Sequence, residues 1–154
     1  MKNMSAADEM WQNFVQSHNL PEEVKYGGDL NFDSKSFDNN AKIAMVLSGA
    51  KTAFFASLSS YRIDGEEVPV SGEYYILFNL NQEPVCIIEL LEVKILPFSD
   101  VTLEMIQEEG EDSSIQEWRQ KEKELLETES EIVGFNFSEK IPLVFCKFQV
   151  VFKK

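Results

Sequence analysis

Residues 85–96 are apolar at odd and even positions alike for most of their length, with Val85, Cys86, Ile87, Ile88, Leu90 and Leu91 in one run. Side chains of a strand alternate between its two faces, so such a segment must bury both. Only a central strand of a covered sheet or a barrel does that. Whatever else the chain forms has to cover it.

The flanking segments supply the cover. Residues 5–18 are spaced as a helix, with Met10, Trp11, Phe14 and Val15 on one face. Ser5 and Asp8 approximate a capping box, and Leu20-Pro21 ends the helix. His18 is placed as a packing or helix-end histidine. Residues 22–35 read as irregular, with Gly27-Gly28 permitting a turn. A second helix is predicted over 38–48, capped by Asp38, Asn39 or Asn40, with Ile43, Val46 and Leu47 inward and Gly49 as its left-handed stop.

From Lys51 the period changes to strands: 52–60, 73–80, 85–96 and, at the end, 143–152. Asp64-Gly65 marks a turn and Asn81-Gln82-Glu83-Pro84 a reversal. Between the last two strands lie helices over 100–108 and 114–128. The first points Val101, Met105 and Ile106 inward. Ser114 and Glu117 form a capping box on the second, which turns Ile115, Trp118, Leu125 and Leu126 to one side. There are no repeats or long linkers. The expected architecture is a single α+β domain over 1–154, a mixed or antiparallel sheet or small barrel flanked by helices.

Composition excludes several chemistries. A single histidine rules out sites that need two, and Cys86 and Cys146 cannot make a four-thiolate zinc site, so no metal or cofactor is expected. Both cysteines sit in apolar runs and read as buried free thiols. No run of 18 apolar residues exists, no secretory segment opens the chain, and a soluble cytoplasmic protein is expected without a membrane partner. Fourteen basic against 27 acidic residues leave a net charge of −13. Residues 99–140 carry 13 acidic and 4 basic side chains, so −9 lies in that block. Affinity for nucleic acid comes largely from cations meeting phosphates. A long DNA duplex is therefore not an expected partner, whereas a local pocket outside the acidic block is permitted.

Two places can carry chemistry. Gly49-Ala50-Lys51-Thr52 joins a helix to a strand and sets an ammonium at the mouth of the sheet. It can bind a phosphate or carboxylate, or simply meet the helix C-terminus. Glu108-Glu109-Gly110-Glu111-Asp112 packs four carboxylates into five residues, which raise one another's pKa unless a cation relieves them. Lys51 across the sheet mouth with Glu109 or Glu111 makes an acid/base constellation; the plain alternative is a solvated acidic loop.

Together these pieces resemble the ASCH domain family of PUA-like folds, in its stand-alone bacterial form. The order is Gly49-Ala50-Lys51-Thr52, Tyr61, Gly65-x-x-x-Pro69-x-x-Gly72, Pro84-Val85-Cys86-Ile87-Ile88-Glu89, Pro97-Phe98-Ser99-Asp100-Val101, Glu109-Gly110-Glu111, Trp118-Arg119 and a terminal Val144-Phe145-Cys146-x-Phe148 strand. The resemblance spans about Met10 to Phe152. It implies a small barrel with a cleft at the glycine–lysine turn, and RNA or a nucleotide-like molecule as partner. Gly49, Lys51, Thr52, Tyr61, Trp118 and Arg119 would line the ligand site, with Tyr26 a further stacking surface. Similar amidohydrolases pair the turn lysine with a threonine three residues on and a later glutamate. Here Lys51 matches the lysine, Glu109 or Glu111 the glutamate, and Phe54 stands where the threonine would be.

Overall fold

The computed structural model describes residues 5–21, 24, 26–30 and 36–153. The elements in chain order are α1 (Ala6–Ser17), β1 (Tyr26–Leu30), α2 (Ser36–Ser48), β2 (Ala53–Ser57), α3 (Leu58–Ile63), β3 (Tyr74–Phe78), β4 (Pro84–Pro97), α4 (Leu103–Glu109), α5 (Ile115–Val133) and β5 (Pro142–Lys153). A single 3-10 turn, Phe98–Asp100, follows β4. The sheet is mixed, in the order β1-β3-β4-β5-β2. β1 runs parallel to β3, and the β3–β4 and β2–β5 pairs are antiparallel. This is the α+β class that the change of period predicts. The expected closure into a barrel does not occur. β1 and β2, five residues each, stand at the two ends of the sheet and are not paired with one another, so the ladder that would close a barrel is missing.

The chain divides into two compact units. One comprises Met1–Gly49, Val70–Leu91 and Phe148–Lys154; the other comprises Ala50–Pro69 and Glu92–Lys147. In the first, the capping box forms as expected. The Ser5 hydroxyl accepts from the Asp8 amide at 3.1 Å, and the Asp8 carboxylate accepts from the Ser5 amide at 3.3 Å. The apolar face of α1 then buries Met10 and Phe14 against Ile76, Phe78 and Ile87. His18 is the C-cap of α1, its ring 4.8 Å from that of Phe14, which fits the packing role.

Residues 26–30 are not irregular but form β1, because Gly27 admits a ring. A Cβ at Gly27 would lie 2.5 Å from Cζ of Tyr75, on the neighbouring strand. Gly27→Ala therefore has to displace Tyr75, and its expected cost is about 1–2 kcal/mol, read as a lowered urea midpoint with an unchanged m-value. Helix α2 starts at Ser36, ahead of the expected caps at 38–40. Ile43 and Val46 are buried as predicted, whereas Leu47 is exposed. The segment predicted as a strand over 52–60 breaks after Ser57. The Ser57 hydroxyl accepts from the Ser60 amide at 3.1 Å and caps α3 instead.

The second unit is organised on Trp118, fully buried among Phe98, Val101, Ile106, Leu126, Ile141 and Leu143. Its indole stacks on Phe98 at 5.5 Å, and Phe55 leans on it at 5.1 Å. Leu125, expected beside Leu126, is exposed, so the inward stripe of α5 is narrower than its apolar pattern. Cys86 and Cys146 are free and buried, and burial pushes their thiols up to about 11 and about 12.

Candidate functional site at the Lys51 turn

Gly49 ends α2 in the left-handed region at φ +86, and four residues later the chain is in β2. Lys51 is carried inward by that turn and is only 1% exposed. A buried ammonium has to satisfy its three N–H groups. Nζ donates to the Ala53 carbonyl at 2.8 Å, to the Glu109 carbonyl at 3.3 Å and to Glu111 Oε2 at 2.7 Å. The last is an ion pair whose carboxylate is 14% exposed.

The acidic segment reaches Lys51 because α4 stops at the right place. Thr102 caps α4, its hydroxyl accepting from the Met105 amide at 3.3 Å, and Gly110 ends it at φ +78. Any side chain at 110 would strike the Ala50 carbonyl oxygen, so glycine is what lets the two turns touch. The junction is stitched further by Thr52, whose amide and hydroxyl both donate to the Glu108 carbonyl, at 2.8 and 3.2 Å. On the neighbouring strand Lys147 meets Glu108 Oε1 at 3.2 Å, and on α5 Lys121 meets Asp112 Oδ2 at 2.8 Å.

Glu109 turns inward, 6% exposed, and Oε1 accepts from the Trp118 indole N–H at 2.9 Å. Burial pushes its carboxyl up to about 8; Lys51 and the indole N–H pull it down, while Glu111 and Glu122 push it further up. The result is a carboxyl pushed well above the usual glutamate range, beside the Lys51 ammonium.

Of the residues expected at the site, the structure brings together Lys51, Thr52, Glu109, Glu111 and Trp118. Both glutamates are used, in different ways: Glu111 pairs with the ammonium and Glu109 meets the indole. Trp118 is wholly buried and offers no face to a stacked base, which corrects its assignment as a stacking surface; its contribution is the N–H. Gly49 shapes the turn, with nothing within 4 Å of where a Cβ would stand. Arg119 is half-buried, with Nη2 donating to the Val101 carbonyl at 3.4 Å. Tyr61 is half-buried on α3. Tyr26 lies in the other unit, partly exposed, with its ring 5.0 Å from Trp11 and its hydroxyl donating to Asp29. Phe54, at the threonine position of the amidohydrolase pattern, is buried in β2 opposite Cys146.

Sequence reasoning missed Lys147 and Lys121, and it named Glu108 and Gly110 within the acidic segment without giving either its role. Lys147 did carry a signal, as a lone cation in an otherwise apolar stretch of β5. Gly110 did too, as a glycine between two helix signals.

The comparisons bear on the family and the fold. No curated protein matches the chain. A crystallised protein of Enterococcus faecalis is 28% identical, with a TM-score of 0.84 over 96% of this chain and 89% of that one. The ASCH domain structure from Lactobacillus crispatus superposes with the same TM-score of 0.84 at 24% identity, over 99% and 98% of the two chains, a likeness of fold. The family model for the ASCH domain matches residues 29–152, and the chain belongs to that family.

Proposed function

We propose that this ASCH domain binds a nucleotide or a few nucleotides of RNA at the Lys51 turn. The observation that carries the reading is the burial of Lys51 and Glu109, with Glu111 beside them, against the apolar cluster around Trp118. Replacing a buried ion pair by packed apolar side chains is usually neutral or stabilising, so stability does not account for this cluster. A preorganised set of polar groups at a helix–strand junction is what a ligand site requires. The ligand is small, because the surrounding block is acidic and has no broad cationic surface to follow a phosphate backbone.

The test is a titration of a fluorescent six-nucleotide RNA, with mononucleotides as competitors, at low and high salt. Saturable binding that weakens with salt and is lost in Glu111→Gln is the expected result. Absence of binding by the wild type at low ionic strength refutes the reading.

A second reading, hydrolysis of an amide or phosphodiester in a nucleoside-like substrate, draws on Glu109. A carboxyl pushed up to about 8 beside an ammonium is matched to proton transfer at neutral pH. The nucleophile is its weak point. Phe54 has no hydroxyl, and that of Thr52 is already donated to the Glu108 carbonyl. Turnover of an acylated cytidine by the wild type, lost in a folded Lys51→Ala variant, would establish it.

A further inference from the structure

The segment 108–112 carries four carboxyls, Glu108, Glu109, Glu111 and Asp112, and three ammoniums, Lys51, Lys121 and Lys147, lie against it. Each ammonium is taken: Lys51 by Glu111 at 2.7 Å, Lys121 by Asp112 at 2.8 Å and Lys147 by Glu108 at 3.2 Å. Glu109 is left over. It is the deepest of the four, and its Oε1 meets a neutral indole N–H. Three elements present groups to it: Lys51 from the turn before β2, Glu111 from the loop after α4, and Trp118, Lys121 and Glu122 from α5. Ionised, it would be a second anion beside Glu111 sharing the one Lys51 ammonium, which a buried, low-dielectric site disfavours.

We propose that the Lys51 cluster holds one exchangeable proton, on Glu109, and that loss of this proton releases the 109–112 segment from the Lys51 turn. The same residues fasten that segment. Lys51 grips the Glu109 carbonyl and the Glu111 carboxylate, and the loop turns on Gly110 between them. A new negative charge on Glu109 repels Glu111 and competes with it for Lys51, so the two anions separate. The half-buried one, Glu111, is free to swing towards water, and Trp118 loses its cover. The junction would thus be closed at neutral pH and loosened under mildly alkaline conditions. The inference needs no ligand, so it stands or falls apart from the binding reading.

The sign follows from linkage. The folded state holds a proton on Glu109 up to about pH 8 and the unfolded state releases it near the ordinary glutamate value of 4.5. Between those limits stability falls as pH rises, with a limiting slope of one proton.

The experiment uses the full chain carrying Trp11→Phe, so that Trp118 is the sole indole, with and without Glu109→Gln. Emission of Trp118 is followed from pH 6 to 10, with far-ultraviolet circular dichroism confirming the fold. Neither Cys86 nor Cys146 titrates near pH 8, since burial pushes them up to about 11 and about 12. The expected result is a one-proton red shift centred near pH 8 that Glu109→Gln abolishes. Urea unfolding supplies a second readout. Stability should decline from pH 6 to 9 with Glu109 present and stay flatter with Gln. A step that survives Glu109→Gln, or a folded Trp11→Phe protein with no step at all, overturns the proposal. So does an identical stability slope in the two proteins.

Discussion

Gly110→Ala is expected to destabilise the fold by at least about 3 kcal/mol, lowering Tm by roughly 10 °C. Two costs combine. Gly110 sits at φ +78, a conformation that any Cβ penalises. The added carbon would also run into the Ala50 carbonyl oxygen and lie 3.3 Å from the Lys51 Cα. These neighbours are backbone and cannot rotate aside as a long side chain would. The turn before β2 and the end of α4 must therefore separate, taking the Thr52–Glu108 and Lys51–Glu109 bonds with them. Gly49→Ala is the control. Its φ is also positive, at +86, but nothing lies within 4 Å of the new carbon. It should cost only the conformational part, about 1–2 kcal/mol. Equal losses in the two variants, measured by thermal unfolding, would show that the close approach at Gly110 carries no energy.

Lys51→Met is the second large effect, with an expected loss of about 3 kcal/mol at neutral pH, the low end for a buried pair because Glu111 keeps some contact with water. Methionine fills the space but leaves the Glu111 carboxylate without this cation and takes the Nζ donor from the Ala53 and Glu109 carbonyls. The defect is mainly an uncompensated negative charge, so acid relieves it. With Lys51 gone, protonating the stranded Glu111 carboxylate removes the uncompensated charge. The penalty is then larger at pH 8 than at pH 5. Adding Glu111→Leu to Lys51→Met should restore most of the stability, since the pair is then replaced rather than broken. Urea unfolding of the single and double variants at pH 5 and 8 measures both points. A single-variant penalty independent of pH would mean that lost packing, not charge, is the cause.

Local rules reach far in this chain. Ser5–Asp8, Thr102 and Ser114 each cap their helix through the side chain, because capping depends on residues three apart. The two-sided apolar run became β4, in the sheet's third position, and the last apolar run became its neighbour β5. Lys51, Glu109 and Glu111 were legible as a candidate set, being chemically conspicuous residues beside turn signals. The exposed Leu47 and Leu125 were not, because periodicity gives the angle of a face but not the width of the surface that covers it. Likewise β1 was hidden. Tyr26-Gly27-Gly28-Asp29 has a poor strand propensity, and only the Tyr75 ring across the pair makes glycine the fitting residue.

The sequence alone thus determined the class of fold, the central strand and the identity of the charged residues at the helix–strand turn, since each follows from neighbours within a few positions. Tertiary structure decided what those charges do. Lys51 and Glu111 are 60 residues apart in the chain, and which glutamate takes the ammonium and which the indole depends on where α4 ends. That end rests on the clearance between Gly110 and Ala50, a contact between distant segments. The open sheet is decided in the same way, because whether its ends meet depends on strand length and stagger in the assembled fold.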